Sequence, residues 1–496
     1  MQKKHETKRE KKEEFMLKSG LEIHQQIDSH KLFCNCPSVI RQDKPDVILH
    51  RKLHVMTGEE GEIDEAVKFE ASRDKSFVYE GYRDNTCLVE YDECPPYEIN
   101  QEALKIALQI SLLLNCEILQ DTQIMRKTVI NGSNTSGFQR TLLLSRNGWI
   151  DTSFGKVPVD YVFLEEDSAR PSSSNEESDP ELESSVSYRL DRLGIPLVEI
   201  ATGSHMHTPE QIKEVALKIG EILRACKVRR GIGTIRQDVN VSIKIDGKES
   251  ERVEIKGFQD PKIMIETVLK EVERQRKCLK ENSCRKEVRK ANVDGSTSFL
   301  RPMPGSARMY PETDLPLLHI SRDLINEAKA TLPRLKHEIK AELSSGGLSE
   351  ELVKLILKEN KIMEYKELLN IYENPNLVAK MLVLWKREIS SHEKIPEKEI
   401  EKKLTLDVLE SILVLVRDGK IDESRAKNVM NDIVHGKDIT SALKVEKVDN
   451  LEDEIIKLVK EKPGLTSNAY MGLAMAKFKG KVSGKEVMEI IKKLVK

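Results

Sequence analysis

The stretch RQDVNVSIKIDGKESERVEIKGF, residues 236–258, predicts a β-hairpin with one apolar and one polar face. Apolar residues alternate with polar ones along both arms, and an Asp-Gly turn sequence separates the arms. The two apolar faces coincide only if the connecting loop has three or five residues. With three, Asn240 lies opposite Glu254, and Asp238 lies diagonally beside them on the polar face. That face is either a salt-bridged surface with Lys256 as a neighbour or part of an ion-binding site.

Three other strand-like segments also carry acids. GLEIHQQI, residues 20–27, alternates so that Glu22 and His24 share one face, about 7 Å apart. In the segment PLVEIA, Glu199 follows an apolar run, where a charge is costly without a partner. VFLEEDSARP, residues 162–171, ends an apolar run with three consecutive acids. Each pattern alone fits a solvated strand edge or end as well as it fits a metal site.

A basic loop rich in small residues adds groups that can bind anions. RKTVINGSNTSGFQRT, residues 126–141, contains Lys127 and Arg140 around Gly, Ser and Asn residues, whose backbone N–H groups and hydroxyls can bind phosphate. The sequence has no P-loop, nucleophile elbow, HExxH motif or dinucleotide fingerprint. Acids in β contexts together with a basic loop suit a magnesium-dependent phosphate site, in which carboxylates bind the ion and cations neutralise the phosphate.

Length and composition indicate a multidomain protein of the cytoplasm. The chain has 496 residues, 39% of them hydrophobic and 33% charged, with a mean hydropathy of -0.46. No apolar run reaches the roughly 18 residues of a membrane span, and the charged arm at residues 1–15 does not resemble a secretory signal. Eight scattered cysteines indicate reduced thiols. Cys34 and Cys36 form a C-x-C pair without a second close pair, so bound zinc is not expected.

The chain divides by the type of secondary structure that its patterns predict. Residues 16–320 combine short strands with a few helices and include an acidic, serine-rich surface loop at residues 172–187. Residues 321–395 and 396–496 are amphipathic helices on either side of a lysine-rich linker. The last segment is basic, which suits contact with a nucleic-acid backbone but equally fits a solvated helix face. The lysines that would contact a nucleic acid are Lys477, Lys479, Lys481 and Lys485.

Several ordered motifs resemble one known family. They are GLEIHQQI…KLFCNCPS, FVYEGYRDNTCLVEYDECPP, LEEDSAR, YRLDRLGIPLVEIATGS, GIGTIRQDVNVSI and LRPMPGSARMYPETDLP. Together they closely resemble the archaeal E subunits of glutamyl-tRNA(Gln) amidotransferase, which are relatives of the bacterial GatB subunit. The resemblance runs from about Met16 to the C-terminus. It implies an α+β fold, with a cradle domain on an antiparallel sheet, then an all-α helical domain and a small helical tail domain that binds tRNA.

The resemblance also implies a two-step reaction. ATP phosphorylates the γ-carboxylate of the glutamate on tRNA(Gln), and ammonia then displaces the phosphate to give Gln-tRNA(Gln). The ammonia would come from glutamine through a glutaminase partner, GatD, in a heterodimer or a dimer of heterodimers. Magnesium would be held by Glu22, His24, Glu165, Glu166, Glu199 and Glu254. Lys127 and Arg140 would bind the phosphate or the carboxylate, and the catalytic residues would be Lys127, Glu165, Glu166 and Asp238.

One domain of the family is missing from the sequence. The E subunits carry an additional domain that resembles part of bacterial aspartyl-tRNA synthetase, whereas only a short link separates Arg276 from Glu287 here. The chemistry implied for the cradle does not depend on that domain, but selection of tRNA does. Two alternatives to the amidotransferase remain open, a non-catalytic tRNA-binding scaffold and a free-standing kinase of small carboxylates.

The consecutive acids Glu165 and Glu166 raise a geometric problem. In an unbroken strand their side chains point to opposite faces, so both cannot line one site. If both bind metal, as the resemblance implies, a bulge or a strand break is expected at residues 165–167. Arg170 would then balance the charge of Asp167.

Overall fold

The computed structural model describes residues 14–58, 61–172, 185–258, 261–437, 451–478 and 484–494. The chain forms two compact units, residues 1–335 and residues 336–496. The first unit is a mixed α+β structure around one large sheet, and the second is helical. Most of the predicted charged arm and of the predicted acidic loop lies outside the described residues. No helix in the described ranges is both long and apolar enough to cross a membrane.

Strands are confined to the first unit in the described part of the chain. They are β1 (Phe15–Gln26), β2 (Val47–Arg51), β3 (Ser76–Gly81), β4 (Glu117–Ile118), β5 (Asp121–Thr122), β6 (Ile124–Thr128), β7 (Phe138–Thr152), β8 (Gly155–Glu166), β9 (Arg170–Pro171), β10 (Ser185–Arg189), β11 (Pro196–Thr202), β12 (Ile235–Ile245), β13 (Lys248–Glu249), β14 (Val253–Phe258), β15 (Glu287–Ala291), β16 (Thr297–Pro302), β17 (Met309–Pro311) and β18 (Leu318–His319).

The large sheet has twelve strands in the order β16-β15-β14-β12-β1-β11-β8-β7-β6-β17, with β13 beside β12 and β4 beside β7. Its pairs are antiparallel except for β14 and β15, which run parallel. A four-stranded sheet has the order β2-β3-β10-β9, and β5 pairs with β18. The α+β class and the dominance of antiparallel pairing agree with the prediction.

Helices cover one face of the large sheet and leave the other face polar. The helices of the first unit are α1 (Glu65–Ala71), α2 (Gln101–Leu113), α3 (Pro209–Ala225), α4 (Pro261–Glu281) and α5 (Arg322–Ala330). Helices α2, α3 and α4 pack on the sheet through one hydrophobic core. Leu21, Ile23, Val198, Ile200 and Val239 point into this core and are fully buried. Because side chains alternate along a strand, the residues between them form the opposite, polar face.

The hairpin of β12 and β14 has the predicted pairing but a different connection. Asn240 lies opposite Glu254, as a three-residue loop would require. The connection is instead a two-residue turn, in which Asp246 and Gly247 have positive φ angles of 47° and 83°, as a type I′ turn requires. One extra residue between β13 and β14 shifts the register by one. The apolar side chains of β12 and β14 therefore share one face, as they would with a three-residue loop.

The second unit consists of helices with two separate hydrophobic cores. Its helices are α6 (Lys336–Ser345), α7 (Glu350–Glu359), α8 (Ile362–Ile371), α9 (Pro375–Ala379), a π-helical turn (Lys380–Leu384), α10 (Trp385–Glu393), α11 (Glu397–Lys403), α12 (Leu406–Arg417), α13 (Glu423–Val434), α14 (Leu451–Glu461), α15 (Ser467–Lys477) and α16 (Gly484–Leu494). One core runs from Leu343 to Val434 and the other from Ile455 to Ile491. The boundary between the two cores lies between Val434 and Ile455, further along the chain than the predicted linker near residue 395.

Candidate functional site

The polar face of the large sheet carries a row of charged residues across five neighbouring strands. This acidic row consists of Glu165 (β8), Glu199 (β11), Glu22 and His24 (β1), Asp238 (β12) and Glu254 (β14). Register aligns its members, because His24 lies opposite Glu199 and Glu22 lies opposite Asp238. With neighbouring strands about 4.8 Å apart, the row spans about 19 Å. Pairing between distant segments thus gathers residues that the sequence keeps far apart.

His24 lies at the centre of the acidic row, between two sets of possible metal ligands. Its Nδ1 is 3.7 Å from Glu199 Oε2, and its Nε2 is 3.6 Å from Asp238 Oδ2. One set is Glu22, His24 and Asp238, and the other is His24, Glu165 and Glu199, each with ligand atoms within 4.8 Å of one another. Burial lowers the pKa of His24, but the surrounding carboxylates outweigh burial and raise that pKa overall.

Two buried atoms of the acidic row have no hydrogen-bond partner among the described residues, Nδ1 of His24 and Oε1 of Glu165. Burial raises the pKa of Glu165 to about 8, and the charge of Glu199 adds to the effect. Burial also opposes ionisation of Glu199, but Lys127 and neighbouring groups lower the pKa of Glu199 overall. Buried polar atoms normally have a hydrogen-bond or metal partner. A divalent cation such as magnesium, bound by the buried carboxylates and the imidazole, would provide one for both atoms.

Two lysines bracket the acidic row. Lys127 Nζ is 2.6 Å from Glu165 Oε2 and 3.7 Å from Glu199 Oε2. At the other end of the row, Lys256 Nζ is 2.7 Å from Asp238 Oδ2 and also contacts Glu254. The sequence pattern indicated Lys127 as a site residue and Lys256 only as a neighbour in a salt-bridged surface. Lys256 lies two residues after Glu254, so strand alternation places both side chains on one face. This spacing was the signal in the sequence that could have identified Lys256 as a site residue.

Glu166 is separated from the acidic row. β8 pairs regularly with β11 through Glu165 and Glu166 and ends at Glu166. The strand therefore breaks within the predicted residues 165–167, but only after both acids, and no bulge turns either of them to the other face. Alternation therefore sends the Glu166 side chain to the opposite face, where it accepts a hydrogen bond from the backbone N–H of Arg140 at 3.2 Å. The Arg140 guanidinium donates to Glu312 at 2.7 Å. The structure thus places Glu166 and Arg140 in a buried ion-pair network, on the opposite face of the sheet from the other predicted metal ligands.

Asp167 is balanced by residues other than Arg170. The Asp167 side chain is fully buried, and its Oδ1 accepts from Arg236 Nη2 at 3.0 Å. Its Oδ2 is 3.8 Å from Arg192 Nε. Arg170 instead donates to Asp191 at 2.8 Å, so the predicted pairing of Arg170 with Asp167 is wrong. Proximity in sequence favoured Arg170, but strand pairing brings Arg236 from β12 to the same carboxylate.

Three thiols and one carboxylate form a second group of possible metal ligands. The ligand atoms of Cys34, Cys36, Cys87 and Glu90 lie within 4.8 Å of one another. Cys34 Sγ donates to Glu90 Oε1 at 2.8 Å, and the buried ammonium of Lys31 is 3.7 Å from the same oxygen. Sulfur-rich sets of this kind suit zinc. From the sequence, zinc was not expected because only the C-x-C pair was visible. Cys87 and Glu90 lie about 50 residues further along the chain and do not form a second close cysteine pair.

The predicted tRNA-binding lysines are only partly described. Lys477 lies at the end of α15, is 45% exposed at its side chain and pairs with Glu454 at 2.9 Å. Lys479 and Lys481 lie outside the described residues, and only the backbone of Lys485 is described, in α16. The ion pair of Lys477 fits a solvated helix face as well as it fits a tRNA contact, so the tRNA contact stays a prediction.

Comparison with known proteins shows that the chain is similar in sequence to one family. Residues 17–326 match the GatB/GatE catalytic domain. The chain is 33% identical to the E subunit of glutamyl-tRNA(Gln) amidotransferase from Methanocaldococcus jannaschii, over 97% of this chain and 98% of that protein. It is 31% identical to the corresponding E subunit from Saccharolobus solfataricus, over 98% of both chains.

The lengths of these alignments bear on the predicted loss of a domain. The alignment with the Methanocaldococcus protein spans 638 positions, at least 142 more than the 496 residues of this chain. The relative therefore contains segments that this chain lacks. In the structure only residues 282–286 join α4 to β15, which agrees with a missing domain at this point.

Proposed function

The chain belongs to the GatB/GatE family, and we propose that it is the subunit of a glutamyl-tRNA(Gln) amidotransferase that converts Glu-tRNA(Gln) to Gln-tRNA(Gln) with ATP. The acidic row is the observation that supports this proposal most. Five carboxylates, one imidazole and two lysines converge on the polar face of one sheet. Transfer of a phosphoryl group to a carboxylate needs such a combination, because both reactants are anions that must be held together.

In the first step, a γ-carboxylate oxygen of the tRNA-bound glutamate attacks the γ-phosphorus of ATP. An acyl phosphate forms and ADP leaves. Lys127, at one end of the acidic row, neutralises negative charge on the phosphoryl group. Magnesium, when bound, supplies further neutralisation of the phosphate charges. The residues suited to hold it are Glu22, His24, Glu165, Glu199, Asp238 and Glu254.

In the second step, ammonia attacks the carbonyl carbon of the acyl phosphate, and the C–O bond to phosphate breaks. Phosphorylation is needed because phosphate is a far better leaving group than the oxygen of a carboxylate. A glutaminase partner supplies the ammonia from glutamine in the cytoplasm. The sheet unit acts as the cradle for the acceptor end of the tRNA, and the basic helices at the end of the chain bind the tRNA body.

The proposal can be tested by amidation with the purified chain alone, because ammonium chloride replaces the ammonia that the glutaminase partner would supply. The wild type, given Glu-tRNA(Gln), ATP, magnesium and ammonium chloride, should form Gln-tRNA(Gln), whereas glutamine without a glutaminase should not serve as the donor. His24→Ala and Glu165→Gln should each lower the rate by about 100-fold or more. Glu249→Gln, which alters an exposed acid paired with Lys18 in the same sheet, is the matched control.

The outcomes separate the proposed function from its two alternatives. Tight binding of tRNA without amidation or ATP hydrolysis would favour the non-catalytic scaffold. Phosphorylation of free glutamate in the absence of tRNA would favour the small-molecule kinase. Wild-type rates in His24→Ala and Glu165→Gln would show that the reaction takes place elsewhere.

A further inference from the structure

Lys256 differs from the carboxylates it contacts in its freedom to move. It lies on β14 two residues from Glu254, and its Nζ is 2.7 Å from Asp238 Oδ2. The Lys256 side chain is 30% exposed, whereas those of Asp238 and Glu254 are 7% and 9% exposed. Both carboxylates are buried on paired strands and have shorter side chains than lysine, so the sheet restricts their positions. The ammonium group ends a long flexible stem and can turn toward solvent.

Lys256 and a divalent cation compete for the same carboxylate. Asp238 belongs with Glu22 and His24 to one of the two ligand sets, and it is the carboxylate to which Lys256 donates. A doubly charged ion at coordination distance attracts a carboxylate far more strongly than an ammonium group does. Binding of the cation to Asp238 and contact of Lys256 with Asp238 therefore weaken each other by the same factor.

The charge of the acidic row determines what a released lysine would bind. Metal ligands bind in their deprotonated form, so five ionised carboxylates, two lysines and a neutral His24 carry about minus three, and two divalent cations bring the row to about plus one. This positive charge depends on both lysines. A triphosphate that enters the row then meets Lys127 at one end and Lys256 at the other.

We infer that Lys256 exchanges partners: it holds Asp238 and Glu254 until a divalent cation binds these carboxylates, and it then donates hydrogen bonds to phosphate oxygens of ATP. The inference rests on the proposed function and adds a second phosphate-binding residue to it. Lys256 thus couples cation binding to nucleotide binding. A purely structural ion pair would show no such coupling.

Two titrations test this exchange. The affinity for Mn²⁺, a spectroscopic substitute for magnesium, is measured without nucleotide by electron paramagnetic resonance. The affinity for ATP is measured by calorimetry at saturating Mg²⁺. Lys256→Met should bind Mn²⁺ at least about fivefold more tightly, because the competing charge is gone. The same variant should bind ATP about 10- to 100-fold more weakly, because one phosphate contact is lost.

Matched variants guard against effects of folding. Lys256→Arg keeps the charge and should restore most of the ATP affinity. Lys18→Met removes a lysine of similar exposure, 34%, which pairs with Glu249 in the same sheet, and should change neither titration. Thermal unfolding with and without Mn²⁺ establishes that each variant is folded.

The opposite signs of the two effects make the inference refutable. Mn²⁺ affinity that is unchanged or weakened in Lys256→Met would overturn it, and so would tighter Mn²⁺ binding with unchanged ATP affinity. Both titrations are independent of tRNA. A wild-type chain that binds ATP but forms no Gln-tRNA(Gln) would therefore refute the proposed function while the two titrations still decide the role of Lys256.

Discussion

Replacing Arg140 by methionine is expected to destabilise the sheet unit and to leave ATP binding intact. The Arg140 residue is 6% exposed, and its guanidinium lies 2.7 Å from Glu312 and 3.4 Å from Glu166. Methionine fills part of the volume but provides no charge. Breaking a buried ion pair by removing one partner costs about 3–5 kcal/mol, because the other charge stays buried. Glu312 keeps Arg126 as a partner, so we expect the lower end of this range, about 3 kcal/mol.

The expected shift in melting temperature follows from the size of the unit. Unfolding entropy is about 2.1 cal/mol/K per residue, or about 0.7 kcal/mol/K for the 335 residues of the first unit. A loss of about 3 kcal/mol therefore lowers the midpoint by about 4 °C. Differential scanning calorimetry measures this shift. Arg146→Met, on the same strand but 54% exposed, is the control and should change stability by less than about 0.5 kcal/mol.

A second measurement distinguishes this structural role from the phosphate-binding role predicted from the sequence. ATP affinity of folded Arg140→Met should equal that of the wild type, whereas folded Lys127→Met should bind ATP more weakly. An unchanged midpoint in Arg140→Met together with weaker ATP binding would refute the reasoning. It would mean that Arg140 reaches the substrate from the buried face.

Three further outcomes concern the other charged clusters. The carboxylates raise the pKa of His24 against the effect of burial, so the stabilisation by its imidazolium is complete below about pH 6.5 and is lost as the pH rises through the raised pKa. In the presence of a chelator, urea unfolding should show a larger effect of His24→Gln at about pH 5.5 than at about pH 8.5. Burial opposes ionisation of Asp167, but Arg236 and neighbouring groups lower its pKa overall, so its stabilisation is present above about pH 4 and is lost in acid. Asp167→Asn should cost about 3–5 kcal/mol at neutral pH, and its difference from the wild type should shrink in acid denaturation. The wild type should bind about one equivalent of zinc at Cys34, Cys36, Cys87 and Glu90, measured by atomic emission; Cys87→Ser should lose it, whereas Cys94→Ser should retain it.

The family resemblance and the strand pattern disagreed at Glu165 and Glu166, and the structure follows the strand pattern. The resemblance implied that both acids bind metal, which required a bulge or a strand break that turns one of them to the other face. Regular pairing with β11 continues through both residues, so only Glu165 reaches the acidic row. Consecutive residues on a paired strand have different environments because the backbone alternates, whatever their chemical similarity.

The sequence by itself determined which face of each strand is polar. The period of two along residues 20–27 placed Glu22 and His24 on one face. Along residues 236–258 it placed Asn240 and Glu254 on the polar face, and opposite each other only for a three-residue loop. This succeeds because alternation is a local property of the backbone. Helices in the second half of the chain were predictable for the same reason, since amphipathic periodicity is local as well.

Only the tertiary structure decided which strands are neighbours and therefore which charges meet. β1 lies between β11 and β12, which brings His24 to both Glu199 and Asp238. No local pattern specifies that order, because pairing of distant strands depends on the packing of the whole core. For the same reason the sequence did not predict that Lys256 belongs to the site or that the three thiols lie together. Their partners come from segments that the sequence separates and the fold joins.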